Sequence, residues 1–326
     1  MASARRAMNT IPSTFNAHQI NRTVLGGTEK PAKVTMPVSC LVLSRSGSQY
    51  RTRVFENLLK CGFESIVSVE QKSESCNTDQ VARLFPQVTF VVALERVTVG
   101  DMVNIGMSEI KAPYVLVVPD DLCMEELSFT PALAKKLMQN AQYCVVPRLI
   151  SSDMQNVPVQ FVPSSRKSVF DVSSESVLTD GSPTLYPYDG TGFFDREKFV
   201  RLGGYDYTVT SAYWQNLDLS LRAWLWGEQI TVCSSFVLHY SNDIPGEDQT
   251  VDLSYLRFYL KNLLPVFEND HAAIKGSSFM AFKRRSSCGI VETIKQFNDA
   301  KQWSAQNKYR FKTDAPTLVE NWGKIK

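Results

Sequence analysis

Apolar and polar segments alternate through the first part of the chain in the order expected for an α/β sheet. Short apolar runs bounded by polar loops predict four strands, at residues 38–43, 66–69, 88–94 and 114–118. Between them, apolar residues at helical spacing predict three helices, at residues 51–60, 81–85 and 103–110. Strands that alternate with helices are typical of a doubly wound, mainly parallel sheet flanked by helices.

From residue 131 onwards, helices and strands are also predicted, but they are more widely spaced along the chain. Helices are predicted at residues 131–139, 196–202, 217–226 and 254–264, and extended pieces at 143–147, 229–233 and 235–239. Residues 151–187 are rich in Ser, Pro, Thr and Asp, which predicts long loops or short edge strands. We therefore predict a loosely packed N-terminal extension over residues 1–35, an α/β domain over 36–245 and a mostly helical C-terminal extension over 246–326.

Composition narrows the class of protein. The 326 residues are 44% hydrophobic and 21% charged, which is ordinary for a globular chain with a sizeable core. A net charge of +2 does not favour nucleic acid as a partner. The seven cysteines are scattered, which suits free thiols in a reducing compartment. No apolar run has the roughly 18 residues of a membrane span, and no secretory signal is recognisable, so we expect a cytoplasmic protein.

The clearest chemistry follows the fourth predicted strand, which runs through Pro119 into Asp120 and Asp121. Ligands of open α/β sheets bind beyond the carboxyl ends of strands. Two acids at this point are therefore well placed to hold a hard divalent cation and, through it, a diphosphate. Asp-Asp also favours a solvated turn, so this segment alone leaves both interpretations open.

Several landmarks occur in the order found in family 2 glycosyltransferases with the GT-A fold, which the chain resembles over roughly residues 36–265. They are Ser44-Arg45 after the first strand, Glu70 after the second, Asn104 within residues 100–106, Asp120-Asp121, Gly203-Gly204 before Asp206, residues 218–222, and His239. The resemblance implies a GT-A type mixed, mainly parallel sheet. It also implies transfer of a sugar from a nucleotide-diphosphate donor to an acceptor hydroxyl, with inversion at the anomeric carbon.

By this resemblance, Asp121 matches the more constant acid of the family's Asp-x-Asp motif, while Pro119 stands where the first acid is expected. Asp121 is therefore our candidate ligand for Mn²⁺ or Mg²⁺. Asp120 is the second candidate ligand, and His239 is a candidate to complete the coordination sphere. A histidine at a strand–loop boundary without a ligand role is the alternative for His239.

The same resemblance assigns four residues to the nucleotide, for which UDP is one candidate. Ser44 and Arg45 would donate to it, and Glu70 would accept from its base or ribose. Asn104 would order the neighbouring loop by hydrogen-bonding the backbone. The alternatives are a surface ion pair for Arg45 and a solvated strand end for Glu70.

The general base is not identified by the sequence. The family's usual Glu-Asp pair is replaced by Gln215-Asn216, and amides cannot take a proton at neutral pH. Asp218 and Asp206 are the two candidate catalytic residues for the role of general base. Asp218 could instead pair with Arg222 four residues along a helix, and Asp206 could cap the following segment.

On the acceptor side, Asp189 lies in a loop, and Tyr213 and Trp214 could stack on a sugar. The acceptor would be a glycan, a glycolipid or a protein-linked sugar. Arg257 or Lys261 could close over the diphosphate, and the alternative for both is a solvated helix face. The basic cluster of residues 283–285 is a candidate for contact with acidic lipid or a phosphorylated acceptor, although a surface cluster without a ligand is favoured. The aromatic C-terminal helices are candidates for a homo-oligomer interface.

Two other functions stay open. A catalytically impaired GT-A protein that binds a nucleotide sugar or a partner protein is favoured by Gln215-Asn216. A nucleotidyltransferase would carry a Gly-rich basic loop after the first strand, of which Ser46-Gly47-Ser48 beside Arg45 is a faint version.

Overall fold

The computed structural model describes residues 18–45, 51–71, 78–125, 128–139, 142–166, 169–175, 179–286 and 289–325. The predicted Ser46-Gly47-Ser48 loop lies outside the described residues, as do residues 1–17 of the predicted extension. The strands are β1 (Arg22–Gly26), β2 (Val38–Ser44), β3 (Ile66–Gln71), β4 (Val88–Ala93), β5 (Tyr114–Pro119), β6 (Leu122–Cys123), β7 (Cys144–Ile150), β8 (Asn156–Val157), β9 (Phe161–Arg166), β10 (Val169–Ser174), β11 (Gly192–Asp195), β12 (Ile230–Tyr240), β13 (Val266–Glu268) and β14 (His271–Ala273). The α-helices are α1 (Arg51–Cys61), α2 (Thr78–Leu84), α3 (Val99–Glu109), α4 (Pro131–Met138), α5 (Arg196–Arg201), α6 (Ala212–Leu225), α7 (Leu253–Phe258), α8 (Ser278–Arg285), α9 (Ile290–Asn307) and α10 (Ala315–Asn321).

One large mixed sheet organises the chain, in the strand order β1-β4-β3-β2-β5-β11-β7-β12-β6, with β8 beside β7. Strands β4, β3, β2 and β5 are parallel neighbours, and β7 is parallel to β12. Strands β1, β11 and β6 add antiparallel pairings. Every residue of β2 is buried, as expected for a strand covered on both faces of the sheet. The predicted mixed sheet with a parallel core is confirmed.

The direction of winding reverses at β2, because β3 lies on one side of it and β5 on the other. Such a switch point opens a crevice at the carboxyl ends of the strands, where ligands of α/β sheets bind. The register pairs Ser44 with Glu70 and Leu43 with Pro119. The ends of the first, second and fourth predicted strands therefore meet at one edge of the sheet.

Several elements differ from their predicted bounds, among them α3, α6 and β12. Helix α3 begins at Val99, because Thr98 and Asp101 form a capping box that starts the helix before the apolar periodicity becomes visible. Helix α6 begins at Ala212, which places Tyr213 and the residues up to Asn216 inside the helix rather than before it. The two predicted extended pieces after α6 form the single strand β12, whose register shifts between Cys233 and Val237.

The N-terminal extension is not loose throughout, because β1 pairs antiparallel with β4 at the edge of the sheet. Arg22 also forms a 2.6 Å ion pair with Glu109 of α3. The prediction missed this strand because β1 is largely exposed and short, so it lacks the apolar run that marks a buried strand.

The C-terminal helices pack on the α/β region. Trp322 lies 4.8 Å from Trp224 of α6 between ring centroids, and Trp303 stacks on Trp226. Helix α7 continues into a π-helical turn, Tyr259–Leu263. No helix among the described residues is both long and apolar enough to cross a bilayer. The boundary between residues 245 and 246 stays a prediction.

Candidate functional site

Asp120 fastens the end of β5 to the end of β2. Ser44 Oγ donates to its Oδ2 over 3.1 Å, and the backbone N–H of Arg45 donates to its Oδ1 over 3.2 Å. Asp120 is buried, and its own backbone N–H donates to Leu43. With both carboxylate oxygens engaged by the protein, Asp120 is a support of the site rather than a free ligand.

Arg45 places a positive charge at the centre of this edge. Its guanidinium forms a bidentate pair with Asp189, with both nitrogen–oxygen distances at 2.5 Å. Its Nη2 also lies 3.7 Å from Asp121 Oδ1, and the Tyr240 hydroxyl donates to Asp189 over 3.2 Å. Burial opposes the charge, but the bond and charge of Asp189 outweigh it and raise the pKa of Arg45.

One oxygen of Asp121 has an ion pair with Arg45 over 3.7 Å but no hydrogen bond from the described residues. This oxygen, Oδ1, is buried. Burial raises the pKa of Asp121, the Arg45 charge opposes this, and the charges of Asp189 and Asp120 add to it. An additional cation beside this oxygen would remove the cost of its burial.

A divalent cation fits at Asp121 if it is shared with a substrate. Among the described residues, no group of three or more His, Cys, Asp or Glu side chains is arranged to hold a metal. Mg²⁺, however, is commonly bound by one or two carboxylates together with substrate phosphates and water. The Asp121 oxygen that lacks a hydrogen bond suits that mode, whereas a site made of the described protein ligands alone does not fit.

His239 does not join the acids. Successive side chains of a strand point to opposite faces, and His239 precedes Tyr240 in a regular stretch of β12. Since Tyr240 reaches Asp189, the alternation directs His239 to the other face of the sheet. The geometry therefore does not support the predicted ligand role of His239.

Glu70 is a buried group with protein partners, not a solvated strand end. Its carboxylate accepts from Arg51 of α1, from Ser68 Oγ over 3.1 Å and from Thr78 Oγ1 over 2.8 Å. A nucleotide would have to share or replace these bonds. Asn104 exchanges two 2.9 Å bonds with the backbone of Tyr205, so it orders that loop as its sequence context predicts.

A pocket of about 150 Å³ opens beside Asp189. It is lined by the start of α6, by the loop after Pro187 and by the loop after β12, including Asp189, Tyr205, Tyr213, Asn216 and Glu247. Tyr213 thus faces a cavity where an acceptor could sit. Trp214 instead packs in the aromatic core beside Tyr255, and its Nε1 donates to the backbone oxygen of Thr250 over 2.8 Å.

The two predicted bases lie elsewhere. Asp206 and Asp218 are fully buried, and Lys261 Nζ donates to both over 2.9 Å. Asp218 also pairs with Arg222 over 3.0 Å, as their spacing of four residues along the helix predicts. Because their oxygens are committed to buried donors, the geometry does not support either residue as a general base. Lys261, buried in the same network, can neither close over a diphosphate nor belong to a solvated helix face.

The two amides that replace the usual acids hold neighbouring loops. Gln215 accepts from the backbone of Gly100 over 2.9 Å and donates to Thr98 Oγ1 over 2.9 Å. Asn216, which lines the pocket, donates to the Pro187 oxygen over 2.7 Å. Both side chains therefore serve positioning, and the pocket's acid must come from another element.

Gly100 has no room for a side chain beside Gln215. A Cβ there would lie 2.4 Å from Gln215 Cδ and 2.7 Å from Tyr205 Cβ. We expect Gly100→Ala to lower the free energy of unfolding by about 1–3 kcal/mol, measured by urea denaturation, because the helix start must shift. Gly276→Ala, where nothing lies within 4 Å of the new Cβ, is the control. Equal effects of the two changes would contradict this packing account.

Glu247 is the site residue that the sequence did not identify. Its Oε2 accepts from the Tyr186 hydroxyl over 2.7 Å. Burial and, to a smaller extent, the Asp189 charge raise the pKa of Glu247 to about 7, against the Tyr186 bond, which lowers it. The stretch around Glu247 is polar and aperiodic, so nothing in the sequence distinguishes it from an ordinary loop.

The fold is shared with solved structures, although no family model and no curated protein matches the sequence. One is the crystal structure of GalNAc-T7 with UDP, GalNAc and Mn²⁺, at 12% identity and a TM-score of 0.58, over 88% of this chain. This chain covers 56% of that protein's chain. Another is S. aureus TarS 1-349 in complex with UDP, at 14% identity and a TM-score of 0.51, over 89% of this chain and 92% of that one. These likenesses confirm the predicted GT-A type fold.

Proposed function

We propose that this protein is a glycosyltransferase that moves a sugar from a nucleotide-diphosphate donor to an acceptor hydroxyl. The observation that carries the proposal is the arrangement at the switch point of the sheet. There, Arg45 and an Asp121 oxygen that accepts no hydrogen bond from the described residues lie beside Asp189, which lines a pocket. Two structures of the same fold were solved with UDP, which supports a uridine donor.

The chemistry has three requirements that these residues can meet. The leaving diphosphate needs positive charge, which Arg45 supplies directly. A Mn²⁺ or Mg²⁺ ion held by Asp121 and shared with the diphosphate would act there as a Lewis acid. The pocket lined by Tyr213 and Asn216 holds the acceptor in line with the donor, and the reaction is then a direct displacement with inversion.

Nucleotide binding is the test of this proposal. We expect calorimetry with UDP, GDP and dTDP, each with and without Mn²⁺, to detect one preferred nucleotide whose affinity rises with the metal. Asp121→Asn should abolish the metal-dependent gain because it removes the charged ligand. Asp153→Asn, a change of an exposed acid, should leave it intact. A folded wild-type protein that binds none of the three nucleotides would exclude the donor site.

The second candidate is a binding protein that has lost catalysis. It is favoured by the structural roles of Gln215 and Asn216, which occupy the positions where the resemblance places acids. Such a protein would bind UDP but release none from any UDP-sugar. The carbohydrate or glycolipid acceptor, a homo-oligomer and a cytoplasmic location stay predictions.

A further inference from the structure

The pocket needs a proton acceptor that its helix does not provide. An acceptor hydroxyl must lose its proton as it attacks, and a positioned base contributes typically 10²–10⁴-fold to such a step. Asn216 cannot take a proton, and Asp206 and Asp218 are closed off in the core. The remaining acids around the pocket are Asp189, Glu247 and Asp248. Asp189 is committed to Arg45, and Asp248 is exposed and accepts from the backbone of Thr250.

We propose that Glu247 is the general base that deprotonates the acceptor hydroxyl, an assignment that rests on the proposed function. In this step the acceptor proton passes to the Glu247 carboxylate as the acceptor oxygen bonds to the anomeric carbon. The bond from that carbon to the diphosphate breaks, and its electron pair leaves with the diphosphate. Atoms and charge balance without a further reactant.

Glu247 is held in place by its own contact and by those of its loop. The Tyr186 hydroxyl bonds its Oε2, while its Oε1 accepts no hydrogen bond from the described residues. The loop is fastened on both sides of Glu247, since the Tyr188 hydroxyl donates to Pro245 over 2.5 Å and Trp214 donates to Thr250. A base needs this combination of one anchored oxygen and one oxygen free to receive a proton.

The groups around Glu247 set its pKa close to the value that a general base requires. The groups that face it are the hydroxyls of Tyr186, Tyr188 and Tyr213 and the carboxylate of Asp189. Burial is the main cause of its raised pKa, near 7, which lies within the range where a carboxylate is both available and basic.

The main test is Glu247→Gln, with Asp243→Asn, an exposed acid of the same loop, as matched control. The probes are UDP-glucose, UDP-galactose, UDP-GlcNAc and UDP-GalNAc, with water as acceptor, and the readout is the rate of UDP release. We expect Glu247→Gln to lower that rate by about 10²–10⁴-fold while UDP affinity stays within about twofold. Asp243→Asn should retain both. An unchanged rate in Glu247→Gln overturns the assignment.

The pH profile separates a base from a structural residue. In the wild type, the rate should fall as pH drops through about 7, because Glu247 becomes protonated. Tyr186→Phe removes a bond that favours the charged form, so it should move this acid limb to higher pH. Because ionising Glu247 costs folding stability above its unfolded pKa, Glu247→Gln should melt at a higher temperature than wild type at pH 8 and at a similar one at pH 4. A lower melting temperature at pH 8 would indicate a structural role and contradict the proposal.

A measurement that needs no donor completes the test. Carbon NMR of glutamate-labelled protein should show a carboxyl that titrates near 7 and is missing in Glu247→Gln; titration near the ordinary value of about 4.3 overturns the assignment. UDP binding is measured in parallel. If the wild type does not bind UDP, the proposed function is refuted. If it binds UDP but Glu247 titrates at its ordinary value, only the assignment of Glu247 as the base is refuted.

Discussion

Replacing Lys261 with methionine is expected to lower the free energy of unfolding by about 3–5 kcal/mol, the usual cost of removing one partner from a buried charge network. Lys261 is fully buried, and its ammonium donates to Asp206 and Asp218 and lies 5.0 Å from the ring centroid of Trp303. With Arg222, the network holds two positive and two negative groups. Methionine fills a similar volume but leaves two buried carboxylates to one cation.

The pH dependence of this loss follows from Asp206. Burial alone would raise the pKa of Asp206, but the Lys261 charge and the bonds from Lys261 and Thr208 outweigh burial and lower it. In the wild type this carboxylate therefore stabilises the fold above its unfolded pKa, and the contribution is lost as pH falls through the folded pKa. In Lys261→Met only the bonds from Thr208 still oppose the cost of burying the Asp206 carboxylate, so protonation of that carboxylate relieves the cost. The difference between the two proteins should be larger at pH 7 than at pH 4, as measured by urea denaturation.

Two further variants make this prediction specific to the network. Lys275→Met breaks an exposed pair with Glu268 and should change the free energy of unfolding by less than about 1 kcal/mol. Adding Asp206→Asn to Lys261→Met restores the charge balance and should recover part of the loss, since the amide oxygen can still accept from Thr208. A Lys261→Met loss as small as that of Lys275→Met would contradict the account.

The sequence predicted the part of the site at the carboxyl ends of the parallel strands, because the local apolar pattern of these strands is strong. Buried parallel strands give continuous apolar runs, and their carboxyl ends must share one side of the sheet. Asp120 and Asp121 follow such a strand, and the resemblance to family 2 glycosyltransferases assigned Ser44 and Arg45 to the same donor site. The strand order predicted a doubly wound sheet, and the resemblance to family 2 glycosyltransferases implied its GT-A type.

The parts that could not be predicted depend on contacts between residues distant in the chain. Lys261 meets acids 43 and 55 positions away, which no local pattern announces, and a lysine is otherwise expected at the surface. Glu247 acquires its environment from Tyr186, 61 positions earlier. A loop fixed by such bonds looks like any other polar stretch, so the sequence does not distinguish Glu247 from its neighbours.

Arg45→Met is expected to weaken UDP binding by about 10- to 100-fold. A hydrogen bond to a charged group contributes about 1.5–3 kcal/mol, and each 1.4 kcal/mol corresponds to a factor of ten. Removing Arg45 also leaves Asp121 and Asp189 uncompensated beside the incoming diphosphate. Arg53→Met, an exposed change on α1, should leave the affinity unchanged. If Arg45→Met bound UDP as tightly as the wild type, the ion pair between Arg45 and Asp189 would only support the fold.

The effect of Mn²⁺ on UDP binding by Arg45→Met shows how the positive charge of the site is divided between Arg45 and the metal. In the wild type, Arg45 neutralises part of the charge on Asp121 and Asp189, which reduces their attraction for a second cation. Without Arg45, both carboxylates become available to a hard cation. We therefore expect Mn²⁺ to improve UDP binding by a larger factor in Arg45→Met than in the wild type, as measured by calorimetry with and without the metal. If Mn²⁺ improved UDP binding by a smaller factor in Arg45→Met than in the wild type, Arg45 and the metal would reinforce each other at the diphosphate. They would then not compete for the same carboxylates.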